Sequence, residues 1–285
     1  MPNVYVNGAF LPSEQASVSV MDRAYLFADG VYEVIPVYRG KPFHPDRHMA
    51  RLSRSLAAVD IPEPLDAAAW SAVFERLIEE HAREHGNDDL SLYLQVTRGA
   101  GVTRNHGGSA DLQPSVTAFT LTTAPVPPPE SESGIAAVTL EDIRWGRCDI
   151  KSTALLPNVL ATQQAQVRGA EEAILIRDGR LTEGASSNIF VVREGRVRTP
   201  PTSHAILAGI TREVVIELLR SVSIPIEEVD VPASDLDRAE EIWRSNSTRE
   251  VAPITQLNGS PVGDGRPGPL WLRIRALFDA YKERL

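Results

Sequence analysis

With 285 residues, 42% of them hydrophobic and 24% charged, the chain has apolar material for one large or two medium domains with full cores. A net charge of -9 and a pI near 5.3 favour solubility and argue against nucleic acid or an anionic membrane as the main partner. No apolar run spans a bilayer, the start (MPNVYVNGAF) lacks a basic segment followed by an apolar one, and the one cysteine, Cys148, cannot make an internal disulfide, so a cytoplasmic location is expected.

VYEVIPVY (Val31 to Tyr38) is β-branched and apolar and reads as a strand, with an Arg39-Gly40 turn that puts Lys41 in a hairpin. Pro45 to Asp60 predicts a helix, with Met49, Leu52, Leu56 and Val59 at three- and four-residue spacing and Arg51 on its polar face. Leu65 to His85 is a second helix, rich in Ala and Glu; LSLYLQVTRG (Leu90 to Gly99) and SVTAFTLTT (Ser115 to Thr123) read as strands around a Gly-rich loop. APVPPPESESG (Ala124 to Gly134) is stiffened by proline and kept wet by charge, with nothing that can pack, so it predicts an interdomain linker. Beyond it, strands come in hairpins, Glu172 to Gly184 and Asn188 to Pro200, turning at Asp-Gly and Glu-Gly. A helix at Thr211 to Val222, short strands around Ile226 and Ile242, and a helix from Leu270 to Arg284 complete the chain. The simplest architecture is α/β (α+β), with domains at 1–123 and 135–285 joined by 124–134.

Arginine supplies nearly all the positive charge, and lysine appears only at Lys41, Lys151 and Lys282. Only lysine has an amine that deprotonates near neutral pH when burial or neighbouring cations disfavour the ammonium. Lys41 and Lys282, at a turn and at the C-terminal end, read as solvated. Lys151 closes LEDIRWGRCDIKS, a strand-like stretch with Arg144, Arg147 and Asp149 nearby. On spacing alone a surface lysine at a strand end is the commoner outcome.

Four further segments carry polar chemistry. In LTEGASSNIF, Glu183 precedes a small, hydroxyl-rich turn; it could hold a proton on a pyridine nitrogen or simply cap a hairpin. In LAGITREVV, Gly209 and Ile210 lead into a helix whose free N–H groups could bind phosphate, with Thr211 as an ordinary cap the alternative; Arg51 could add a contact. RSNSTREVAPI offers hydroxyl and amide donors at Ser247 and Thr248, or a plain loop. TRNHGG offers Arg104 and His106 to a carboxylate, or a flexible surface loop.

Together and in this order, DRAYLFADGVYEVI, HMARL, QVTRG, TRNH, EDIRWGRCDIKS, GAEEAIL, LTEGASSNIF, LAGITREVV and STREVAPI resemble the fold-type IV pyridoxal-phosphate enzymes, nearest the D-amino-acid aminotransferase branch. The resemblance implies a two-domain fold with pyridoxal 5'-phosphate at the domain interface and a ping-pong exchange of an amino group between a D-amino acid and a 2-keto acid. It implies Lys151 as Schiff-base and proton-transfer residue, Glu183 as partner of the ring nitrogen, and Leu207 as support of the ring face. Arg51, Ile210, Thr211, Ser247 and Thr248 become the phosphate cradle; Tyr32, Arg104 and His106 become a carboxylate trap, the Arg-x-His pair reaching across a homodimer. Branched-chain L-amino-acid aminotransferase, (R)-amine transaminase and aminodeoxychorismate lyase are the alternatives on the same fold. Arg249 and Asn246 depart from the pattern, which expects a small and a hydroxyl residue there, and an added guanidinium could bind the cofactor phosphate or an acidic side chain.

Overall fold

Two-residue turns with positive φ set the hairpins: Asn7-Gly8 at 47° and 95°, Arg39-Gly40 at 50° and 77°, Asp178-Gly179 at 50° and 72°, and Glu194-Gly195 at 53° and 66°. Left-handed pairs of this kind match the right-handed twist of the strands they join. The computed structural model describes residues 3–86, 88–107 and 111–284, so Gly108 of the TRNHGG loop lies outside the described residues. The chain divides into two compact units, one of 1–125 with 150–154, the other of 126–149 with 155–285.

The first unit contains β1 (Asn3–Val6), β2 (Ala9–Pro12), α1 (Arg23–Phe27), β3 (Gly30–Tyr38), β4 (Lys41–Pro42), α2 (Pro45–Ala58), α3 (Ala67–His85), β5 (Leu90–Thr97) and β6 (Ser115–Thr122). Its sheet runs β2-β1-β6-β5-β3-β4, and β3 pairs with β5 from Gly30↔Thr97 to Val37↔Leu90. The period of two sends Val31, Ile35 and Val37 of β3 into the core with Leu52 and Leu56 of α2 and Trp70, Phe74 and Leu77 of α3. Each such side chain contributes about 1.5–3 kcal/mol when fully buried. Glu33 shares that inner face and is fully buried, so it demands polar partners there. The predicted polar face of α2 supplies them: His48, Arg51 and Ser55 are buried, not solvated.

The second unit contains β7 (Ile135–Glu141), α4 (Leu156–Val167), β8 (Glu172–Arg177), β9 (Arg180–Gly184), β10 (Asn188–Arg193), β11 (Arg196–Thr199), α5 (Ile210–Ser221), β12 (Ile226–Glu228), α6 (Ala233–Leu236), β13 (Glu241–Asn246), β14 (Glu250–Leu257), β15 (Ser260–Pro261) and α7 (Pro269–Lys282). Its sheet runs β12-β11-β10-β13-β14-β7-β8-β9, with β15 on β14. Ile174, Ile189, Val191, Ile242 and Ile254 form its centre. No helix among the described residues is long and apolar enough to cross a membrane.

Three local expectations change. The strand before Lys151 stops at Glu141. Beyond it polar side chains turn the backbone: Asp142 accepts from the Arg144 N–H at 3.1 Å, and the Cys148 N–H donates to the His204 carbonyl at 2.8 Å. In the proline-rich segment, Pro129–Ser131 forms a 3-10 turn that contacts α7. Gly134 takes φ of 78°, and a Cβ there would meet Thr255 at 2.3 Å. Lys282 is not solvated: its Nζ donates to Glu250 at 2.6 Å and lies 3.0 Å from Asp279. The buried Glu250 carboxylate draws it in.

Candidate active site

Lys151 belongs to the first unit, tied there by its backbone. Its N–H donates to Ser55 Oγ of α2 at 3.2 Å, and its carbonyl accepts from the Tyr32 N–H at 3.0 Å. Ser152 bridges Val31, and the Thr153 N–H donates to the Gly30 carbonyl at 2.9 Å, so this short segment lies along β3. The half-buried amine reaches Tyr32, with Nζ 4.3 Å from the ring centroid. Tyr32 stacks on Tyr93 at 5.7 Å and Tyr93 on Phe119 at 4.8 Å. Burial first, then the neighbouring Tyr32, pushes the Tyr93 hydroxyl up to about 12.

On the opposite face of β3, Arg51 grips Glu33 with two bonds of 2.7 Å, and His48 Nδ1 meets the same carboxylate at 2.8 Å. Burial works to raise Glu33, but the Arg51 charge and these hydrogen bonds outweigh it and hold the carboxyl well below its usual range. Burial dominates at His48 and lowers it, while Glu33 opposes. Arg51 therefore sits in the unit that holds Lys151 and Tyr32, with part of its guanidinium committed to Glu33. Arg104 and His106 lie on an exposed loop, each ring-packed against Phe27.

The second unit brings Glu183 and Leu207 together through Asn188, beside the Gly209 cap that Ile210 and Thr211 follow. Glu183, the penultimate residue of β9, has both carboxylate oxygens engaged: Oε1 accepts from Arg144, and Oε2 accepts from Asn188 Nδ2 at 3.2 Å and the Leu207 N–H at 3.0 Å. Asn188 Nδ2 also donates to the Leu207 carbonyl at 2.9 Å. Burial pushes Glu183 up to about 7, against the charge and hydrogen bond of Arg144 and the Leu207 N–H. Arg144 is shared with Asp142, which accepts from Thr182 and pairs with Arg177 at 3.0 Å.

Gly209 is the N-cap of α5 with no side-chain cap, and a Cβ on it would meet Asn188 Oδ1 at 2.1 Å. The first amides of a helix have no intrahelical acceptor, so this end presents free N–H donors of the kind an anion takes. The pairing Asn188↔Ser245 carries β13 on from the same end to the Asn246–Arg249 turn. There Asn246 Oδ1 accepts from the Thr248 and Arg249 N–H groups at 3.2 and 2.7 Å, fixing Ser247 and Thr248. Asn246 thus builds the turn itself, which the absence of a hydroxyl at that position concealed.

The donor set fits pyridoxal phosphate on this chain's own chemistry: a half-buried primary amine, a buried carboxylate that titrates near neutrality, and a glycine-capped helix end. Sequence reasoning missed Asn188, Arg144, Glu33 and His48. Periodicity located the elements that carry Glu33 and His48 but did not mark these two as site residues; a polar residue within or at the head of an otherwise apolar strand, as at Glu33 and Asn188, was the clue.

A family model described as amino-transferase class IV matches residues 30–257, from the start of β3 to the end of β14. A D-alanine aminotransferase of Bacillus licheniformis is 42% identical over 95% of this chain and 94% of its own. Another, from Staphylococcus aureus (strain COL), is 37% identical over 99% of both chains. The branched-chain amino acid aminotransferase of Escherichia coli has a solved structure that matches with a TM-score of 0.88 at 25% identity, over 98% of this chain and 94% of that one. These likenesses bear out the expected mixed α/β, fold-type IV architecture. With a family model matched across both sheets and relatives this similar over nearly the whole length, the chain belongs to the class IV aminotransferases.

Proposed function

We propose that this aminotransferase uses pyridoxal 5'-phosphate to move the amino group of a D-amino acid of the D-alanine type to a 2-keto acid such as 2-oxoglutarate, in ping-pong fashion. The observation that carries the reading is the pair of reactive groups, a half-buried Lys151 amine and a buried Glu183 carboxylate pushed up to about 7. The substrate class rests on the D-alanine aminotransferase relatives and on the Arg104-x-His106 pair.

Bound cofactor supplies an aldehyde for the substrate amine and a ring that accepts electrons. Lys151 would hold the cofactor between turnovers, and its amine would take the proton from the substrate Cα. Tyr32 lies against that amine and limits its rotamers. Glu183 keeps a proton on the ring nitrogen, and Arg144, Asn188 and the Leu207 N–H fix its orientation. Leu207 supports the ring face. Ile210 and Thr211 at the α5 terminus, with Arg51, Ser247 and Thr248, hold the phosphate. Tyr32, Arg104 and His106 bind the carboxylate that both substrates of the cycle carry, the last two reaching across a homodimer. Arg249, exposed in the phosphate-side turn, is available to an acidic side chain such as that of glutamate. We further infer that 1–123 and 135–285 act as the two domains, apart from 150–154, which belongs to the first unit, and that the enzyme works in the cytoplasm.

Purified protein will show a near-visible absorbance band with pyridoxal phosphate, bleached by borohydride and missing in Lys151→Ala. D-Alanine, L-leucine and (R)-1-phenylethylamine are then compared as donors to 2-oxoglutarate. Transfer from L-leucine alone sinks the D-amino-acid reading and favours the branched-chain alternative.

A further inference from the structure

The Arg104 and His106 side chains are exposed, yet the backbone between them is held from beneath. Arg23, buried at the start of α1, donates from Nη1 to the Asn105 carbonyl at 2.6 Å and from Nη2 to the His106 carbonyl at 3.2 Å. Its Nε donates to Asp29 at 2.7 Å, and Arg98 holds the same Asp29 at 2.8 and 3.0 Å. The root of the loop is pinned as well. The Arg23 N–H donates to the Gly99 carbonyl at 3.0 Å and the Gly101 N–H to the Met21 carbonyl at 3.3 Å. Asp22 caps α1 at the Ala24 N–H and accepts from Thr97 at 2.9 Å, which ties α1 to β5.

Phe27, at the other end of α1, gathers the side chains. Its ring centroid lies 4.8 Å from the His106 ring, 5.0 Å from the Arg104 guanidinium and 4.9 Å from the Arg23 guanidinium. An aromatic ring attracts a guanidinium through its quadrupole and packs against a second ring, so Phe27 restrains both members of the Arg-x-His pair. An unrestrained arginine and histidine on a glycine-flanked loop would lose rotamer freedom each time a carboxylate bound.

We propose that Arg23 and Phe27 are positioning residues that preset Arg104 and His106 to receive one substrate carboxylate. The inference rests on the reading of Tyr32, Arg104 and His106 as the carboxylate trap. Arg23 is buried and acts on the loop backbone: all three of its guanidinium nitrogens donate there or to Asp29, one bond each. Lysine cannot replace it: a single ammonium lacks the planar fork that reaches three acceptors at fixed angles. Leucine fills the space of Phe27 but carries no quadrupole.

The test is calorimetric titration of the holoenzyme with propionate, a carboxylate without an amine, in wild type, Phe27→Leu, Phe27→Tyr and Arg23→Lys. Phe27→Leu and Arg23→Lys should raise the propionate Kd about tenfold, and Phe27→Tyr should stay within about twofold of wild type. Melting temperature and pyridoxal phosphate affinity should hold, and KM for D-alanine should rise more than kcat falls. Wild-type affinity for propionate in Phe27→Leu, or equal loss in Phe27→Tyr, overturns the proposal; should Arg23→Lys not fold, the Phe27 pair decides it. A wild type that binds no propionate also overturns it. A wild type that binds propionate but transfers nothing from D-alanine sinks the substrate reading and leaves the positioning role standing.

Discussion

At the scale of single residues, Glu183 has the most consequential environment. Its carboxyl rises from an ordinary 4.5 to about 7 because burial outweighs Arg144. A raised acid holds its proton more tightly folded than unfolded, so its contribution to stability is complete below pH 4.5 and is lost as pH rises through about 7. Buried His48, lowered from 6.5, works in the opposite direction over part of that window, so the readout is the difference between variant and wild type. Without cofactor, wild type should lose stability on the order of 3 kcal/mol relative to Glu183→Gln across the interval. Chemical melts at several pH values check this; parallel pH curves for the two proteins would refute it. Asp142 and Glu33, both lowered, act in the acid range and leave the window clear.

Elements decide how polar groups become sites. Strand β3 turns Tyr32 toward Lys151 and Glu33 toward α2, because adjacent strand residues face opposite sides. Replacing Glu33 by Gln leaves Arg51 buried without its counter-charge, and the cost should be about 3–5 kcal/mol, read from urea denaturation. Helix α5 makes a comparable demand at its start. Gly209→Ala would drive a Cβ to 2.1 Å from Asn188 Oδ1, disturbing the side chain that ties Leu207 to Glu183. Pyridoxal phosphate affinity should fall at least about tenfold, with little change in overall stability; equilibrium dialysis measures it. Hairpins, by contrast, were legible from two-residue turns alone, since the Asp178-Gly179 and Glu194-Gly195 conformations are local. The missed first hairpin carries the same signal at Asn7-Gly8, in a stretch too short to show alternation.

For the whole molecule, the homodimer inferred from the Arg104-x-His106 reading predicts a sedimentation mass near twice 31.1 kDa. A monomeric, fully active enzyme would contradict it. Local periodicity was enough for β3, α2, β5 and α7, because spacing of two or of three to four residues reports which face is apolar. Chemistry at Lys151 was not readable that way. Spacing left it a surface lysine, and only the run of motifs along the chain raised it to a catalytic candidate. Family membership, the amine and the carboxylate were thus determined by sequence. Tertiary structure alone decided that Arg51 pairs with Glu33 instead of facing solvent, that Lys282 serves Glu250, and that Arg23 supports the Arg104–His106 loop. The reason is distance along the chain: Arg23 lies 82 residues from Asn105 and Lys151 lies 96 from Ser55. Spacing within a helix or strand cannot report which distant backbone group will meet a buried charge; that partner exists only once the sheets have closed.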